Sequence, residues 1–248
     1  FMIKGKEYRL AKNDGENNLH SGPDGYSRRR WDSEIVEDER GQAVRFSLVS
    51  PAGDQGMPGE LDINVTYILT EDDSIILDYE GVAGDDTIVN PTNHSYFNLA
   101  GHNSGPVYDQ KIWLDADEFT PSDSGLIPTG EYRSVKGTPM DFTTPKAIGQ
   151  DINADYEPLI LAGGYDHNFV LKNNGEVELA ASLYDEKSGR YMEVYTRAIS
   201  FRANQEERMT VTTTSATESA SRHSSSLTRS TTWLLSHLLC RQEYLLIL

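Results

Sequence analysis

The feature that most constrains this chain is a short-period alternation of apolar and polar residues. Leu61-Asp62-Ile63-Asn64-Val65-Thr66-Tyr67 sets an apolar side chain at every second position, which suits a strand with one buried face and does not suit a helix. Val44-Arg45-Phe46-Ser47-Leu48 repeats the pattern, and Ser74 to Tyr79 follows the polar turn Glu71-Asp72-Asp73 at hairpin spacing. Further strands are expected at Lys111 to Leu114, Asn168 to Leu171, Glu178 to Tyr184 and Tyr191 to Thr196, with a turn at Asp185 to Gly189 joining the last two. Gly and Pro punctuate these runs at short intervals, and no capped stretch of helical period appears before residue 197. The reading is all-β, a large antiparallel β-sandwich with many turns.

A chain of 248 residues can be used whole by one such sandwich. Its formal net charge of −17 argues against a nucleic-acid partner, which needs a basic footprint, and against an anionic membrane surface. The opening residues turn polar at once, so no signal peptide or membrane span is read there, although the chain begins with Phe1 rather than Met. Cys240 is the sole cysteine, which rules out an intrachain disulfide and fits a reducing, cytoplasmic setting.

The composition breaks at residue 197. Residues 197–248 contain no Gly, Pro, Asp or Lys, hold 17 Ser or Thr, and carry six Arg against four Glu, a charge of +2 that leaves −19 on residues 1–196. Two segments are therefore expected: a sandwich domain over 1–196 and an atypical Ser/Thr/Arg-rich tail over 197–248. In the tail Thr210 to Thr214 is β-prone, Ser219 to Ser226 is of low complexity, and Trp233 to Leu248 is apolar enough for a helix or strand.

Three polar clusters carry candidate chemistry: Asn17 to Gly22, Asn90 to Leu99 and Gly163 to Phe169. Each sets a histidine among Asn, Tyr or Asp near turn formers. Histidine shuttles protons near neutrality. Asn and Asp pair with sugar hydroxyls, while aromatic rings cover the apolar faces of a sugar. Each cluster also has a plain reading: His20 as a loop residue, Asp166-His167 as a loop cap, His94 as a satisfied structural histidine. No H-x-H or H-E-x-x-H spacing supports a metal site.

In that order the clusters resemble the aldose 1-epimerase family. Asn90-Pro91-Thr92-Asn93-His94-Ser95-Tyr96-Phe97-Asn98-Leu99-Ala100-Gly101 is similar to its signature segment. Gly163-Gly164-Tyr165-Asp166-His167-Asn168-Phe169 is similar to its second hallmark, and Asn17 to Gly22 to its N-L-H-G-G segment. Gly125 to Glu131, Gly137 to Phe142 and Met192 to Thr196 also match, so the resemblance covers residues 1–196. It implies a β-sandwich with a sugar cleft and a reaction interconverting the α and β anomers of an aldohexose such as galactose or glucose, with no cofactor and no metal. One group protonates the ring oxygen while another takes the anomeric hydroxyl proton; the ring opens, rotates and closes on its other face. By the resemblance His94 is the acid, His20 and Asp166 hold hydroxyls, Tyr96 lines the site, and His167 and Asn168 support the loop.

The chain departs from the family pattern in two places. An upstream segment with a sugar-binding arginine precedes the family's matching region, and the L-E-T-Q or L-E-A-Q segment that bears the catalytic base has no counterpart. None of Glu206, Glu207, Glu218 and Glu243 sits in such a motif. The sandwich is therefore expected to be incomplete at both ends and the activity impaired. A shifted reading frame would explain the tail, because one codon choice for Ser226 to Thr232 then reads L-D-A-Q-Y-Y. The alternatives are a non-catalytic carbohydrate-binding module and an inactive fragment. A phosphorylated-hexose reading would rest on Arg28-Arg29-Arg30.

Overall fold

The computed structural model describes residues 1–198 in full and, beyond them, the backbone of strands at Ser200–Gln205, Met209–Thr214, Trp233–Leu235 and Leu239–Ile247. The low-complexity run Ser219 to Ser226 and the frame-shift candidate Ser226 to Thr232 lie outside the described residues. The chain forms two compact units, the first built mainly from residues 1–71 and 75–90, the second mainly from residues 91 onward.

In the first unit β1 (Met2–Ile3) and β2 (Lys6–Glu7) form a small hairpin around Lys4 and Gly5, both in the left-handed region at φ 48° and 79°. Strands β3 (Asp32–Asp38), β4 (Gly41–Ser50), β5 (Leu61–Thr70) and β6 (Ser74–Ala83) are sequential antiparallel neighbours. The alternation read from the sequence does its work in β5, where Leu61 and Ile63 join Ala83 in a core covered by Tyr26, Trp31, Leu48 and Val89. Farther along β5 the buried set changes face: Thr66 and Ile68 are buried while Tyr67 and Leu69 are exposed, although the register with β4 and β6 runs on without a bulge. One flat alternating strand thus serves a different buried surface at each end. Strand β7 (Thr87–Val89) follows.

Gly41 opens β4 against the backbone of β5. A Cβ there would lie 2.2 Å from the Leu69 carbonyl oxygen. Gly41→Ala must therefore shift the β4–β5 pairing, and a loss of about 1–3 kcal/mol in urea unfolding is expected.

In the second unit come β8 (Ser95–Phe97), β9 (Lys111–Leu114), β10 (Ala116–Thr120), β11 (Arg133–Ser134), β12 (Lys146–Ala147), β13 (Asp166–Leu171), β14 (Glu178–Tyr184), β15 (Tyr191–Thr196), β16 (Ser200–Gln205) and β17 (Met209–Thr214). One antiparallel sheet runs β11-β10-β13-β16-β17-β8. Another sets β12, β9, β14 and β15 side by side. Both have a buried face: Phe119, Phe169 and Leu171 on the first, Ile112, Leu114, Leu183, Met192 and Val194 on the second. Strand β18 (Trp233–Leu235) pairs with β7 in the first unit, and the end of β19 (Leu239–Ile247) pairs with β15 over Tyr244 to Ile247.

The all-β antiparallel fold is the one expected, and the strands at Lys111–Leu114, Glu178–Tyr184 and Tyr191–Thr196 have the expected bounds. The turn between the last two is closed by the Asp185 carboxylate, which accepts the Ser188 N–H at 2.7 Å. One element departs from the sequence reading. Glu157–Ala162 is a short helix, α1, started by Pro158 and stopped by Gly163 at φ 69°, whose N–H turns back to the Ile160 carbonyl. Six residues are too few to display a helical period.

Candidate functional site

The six-stranded sheet sets the second and third polar clusters on one surface. Asp166 pairs with Asn204, Asn204 with Thr210, and Thr210 with Tyr96. Residues directly opposite each other in a ladder share a face, so Asp166 and Tyr96 lie on the same side, three strand spacings or about 14 Å apart. His94 precedes β8 by one residue, and its ring centre lies 5.2 Å from that of Tyr96 at an interplanar angle of 38°. His94 and Tyr96 are exposed, and Asp166 is half-buried.

His167 is on the opposite face of β13. It is 3% exposed and stands edge-on to Phe119 with ring centres 5.7 Å apart. Its Nδ1 accepts the Asp166 N–H at 3.1 Å, so that nitrogen acts as an acceptor. Asn168 returns to the Asp166 side, half-buried beside Thr120, whose hydroxyl donates to its carbonyl at 3.4 Å.

The end of β8 is held by groups that the sequence did not mark. The buried Gln110 amide donates to the Asn98 carboxamide oxygen at 2.7 Å, and that oxygen also accepts the Ala100 N–H at 3.1 Å. The Leu99 carbonyl accepts from Ser188 Oγ at 3.0 Å and from Arg190 Nη1 at 2.8 Å. Ahead of the strand, Asn93 Oδ1 caps the Ser95 N–H at 3.1 Å. The asparagines of the motif thus shape backbone around His94 and Tyr96. Gln110 and Arg190 are lone polar residues with no local pattern, Ser188 was marked only as part of a turn, and only the fold connects the three to the motif.

His20 belongs to the first unit. It is exposed, with φ 51°, and is followed by Ser21 at 64° and Gly22 at 112°. The Asn13 side chain holds Leu19 just before it, donating to its carbonyl and accepting its N–H, both at 2.9 Å. The Arg28-Arg29-Arg30 run is not a free phosphate cradle. Arg29 forks onto Asp54, with Nη2 to Oδ1 at 2.8 Å and Nη1 to Oδ2, and Arg28 donates to the Pro23 carbonyl at 3.2 Å. Among the described residues no three His, Cys, Asp or Glu side chains gather to hold a metal ion, and no helix is long and apolar enough to cross a membrane.

The Asp54 carboxyl is held below the ordinary carboxylate range, first by the hydrogen bonds of Arg29, against a smaller opposing effect of burial and with help from the Ser50 hydroxyl. A depressed folded-state pKa contributes stability that is fully present above the unfolded value near 3.9 and is lost as pH falls through the folded value. Acid unfolding of the first unit, followed by Trp31 fluorescence, should accordingly lose its component below about pH 4 in Asp54→Asn.

The chain matches the family model described as aldose 1-epimerase over residues 1–223. It is 41% identical to the galactose mutarotase of Sus scrofa over 196 residues, which is 79% of this chain and 54% of that protein. It is 37% identical to the aldose 1-epimerase of Escherichia coli strain K12 over 199 residues, 80% of this chain and 56% of that one. The chain thus spans about half the length of these curated relatives. Among solved structures, a galactose 1-epimerase from Lactobacillus acidophilus matches with a TM-score of 0.83 and 25% identity, covering 100% of this chain and 74% of the other. An aldose epimerase homologue from C. elegans shares the fold at a TM-score of 0.80, with 24% identity over 99% of this chain and 76% of that one. Motif segments in the family's order, an all-β antiparallel fold and a match running through residue 223 lead to one assignment: the chain belongs to the aldose 1-epimerase family.

Proposed function

We propose that the chain handles a free aldohexose and interconverts its α and β anomers by acid–base ring opening. The observation that carries this reading is the shared face of Asp166 and Tyr96, with His94 against the Tyr96 ring. The roughly 14 Å between β13 and β8 is a backbone spacing along the sheet, and the side chains of Asp166 and Tyr96 rise from the same face at its two ends. In this reading His94 gives a proton to the ring oxygen, Tyr96 covers an apolar sugar face, and Asp166 holds hydroxyls. His20 is assigned a hydroxyl by the family resemblance. No cofactor is required, because breaking the hemiacetal moves two protons and no net electrons.

The base is the weak point. By the family resemblance the base is a glutamate, a role assigned to no residue of this sequence, and loss of a general base costs on the order of 10²–10⁴ in rate. The second reading is a carbohydrate-binding module that uses the same hydrogen-bonding groups without turnover. Polarimetry of freshly dissolved α-D-galactose separates the two. Slow but saturable acceleration of mutarotation supports an impaired epimerase. Saturable galactose binding with no acceleration supports the module. Neither binding nor acceleration sinks both.

A further inference from the structure

We propose that Arg29, Asp54 and Gln55 are positioning residues that fix the backbone of the His20 loop for sugar binding; the function of this clamp rests on the assignment of His20 to a sugar hydroxyl. The need for a clamp is in the backbone. His20, Ser21 and Gly22 follow one another at φ 51°, 64° and 112°, and two successive non-glycine residues in the left-handed region persist only where their surroundings over-determine them.

The surroundings come from the loop after β4. Gln55 Oε1 accepts the Asp24 N–H at 3.2 Å, and the same oxygen sits where a Cβ on Gly22 would be only 2.6 Å away. Arg29 donates to the Asp24 carbonyl through Nε at 3.1 Å and Nη2 at 2.8 Å, while its fork engages Asp54. Asp54 is braced in turn by the Ser50 hydroxyl. The Arg29 and Asp54 side chains are 15% and 11% exposed, so this pair is shielded from the solvent screening that weakens surface ion pairs. On the inner side of the turn, a Cβ on Gly25 would lie 2.8 Å from the His20 carbonyl oxygen, so the chain closes tightly on itself there. The hydrogen bonds and close contacts therefore converge on backbone within five residues of His20 and leave its side chain at the exposed tip. Strain held at an exposed histidine by a half-buried ion pair is the arrangement of a positioned ligand, since a loop serving stability alone has no reason to adopt it.

The test is galactose titration against the full chain by calorimetry, with Asp54→Asn, Gln55→Asn, His20→Ala and the His20→Ala/Asp54→Asn pair. Gln55→Asn keeps a residue that tolerates the left-handed φ of 48° while withdrawing its oxygen, and it stands in if Asp54→Asn loses cooperative unfolding. Asp54→Asn and His20→Ala should each weaken binding about tenfold, and the double variant should bind no more weakly than His20→Ala alone. The His20 ring signal in proton NMR should move in Asp54→Asn while thermal unfolding stays cooperative, a shift that a purely structural brace elsewhere would not produce. Unchanged affinity in His20→Ala overturns the sugar-ligand reading and the clamp's function with it. Weakened binding in His20→Ala beside unchanged affinity in both clamp variants overturns the clamp alone, as do losses that multiply in the double variant. A parent chain with no saturable galactose binding overturns both.

Discussion

His94→Gln should lower the rate of galactose mutarotation by about 10²–10⁴ while leaving KM within a few-fold of the parent value. Glutamine keeps a hydrogen-bonding side chain of similar reach but has no titrating proton to give. A proton donor that acts in ring opening is used in the transition state, so its loss falls on kcat. His94→Ala removes the contact with the Tyr96 ring as well, and there KM should rise in addition. Because His94 is exposed, neither change should move the unfolding free energy by more than about 0.5 kcal/mol. Retention of the parent rate would remove His94 from the mechanism and direct the search to other side chains of the unit.

The strands were legible where one face is buried and the other solvated. Leu61 to Val65 and Tyr191 to Thr196 alternate because a single core selects every second residue. Asp32–Asp38 was not marked, since four acids in seven residues hide its few apolar positions; in the fold it is an outer strand paired on β4, with Asp32, Glu34 and Glu37 exposed and Asp38 held by the Arg40 guanidinium. Acidic side chains on such a strand also discourage pairing with other chains. The switch of buried face within β5 is marked in the sequence only by Ile68, which interrupts the alternation between Tyr67 and Leu69, both of which stay apolar although their side of the sheet is exposed. At the candidate site the residues were legible and their arrangement was not. The motifs named His94, Tyr96 and Asp166, but the spacing between them is set by β16 and β17, which come from the compositionally odd part of the chain. The clamp on His20 was the least visible of all. Its parts, Arg29 and Asp54, lie 25 residues apart; Arg29 was read only as part of a basic run, and Asp54 was not singled out.

Phe119→Ala should be the most destabilising single change among the core residues considered, at about 3–5 kcal/mol. Phe119 is fully buried on β10, directly opposite Phe169 on β13, with ring centres 6.4 Å apart, and its other edge meets His167. Removing the ring opens a cavity that Phe169 cannot fill without leaving its contact with Phe142, whose ring centre is 6.1 Å away. Relaxation is therefore limited and the cavity cost stays high. At about 2–4 °C per kcal/mol for a chain of this size, the melting temperature should fall by roughly 10 °C. Phe119→Leu keeps much of the volume and should recover at least half of the loss. The same substitution reaches function from behind. His167 is held between Phe119 and the Asp166 N–H, so a His167 ring that tilts into the cavity drags the backbone of Asp166 on the polar face. Galactose affinity should then drop in Phe119→Ala at temperatures where the variant is still folded, although Phe119 touches no sugar. An unchanged affinity in the folded variant would show that the β13 backbone holds Asp166 in place without the support of the His167 ring.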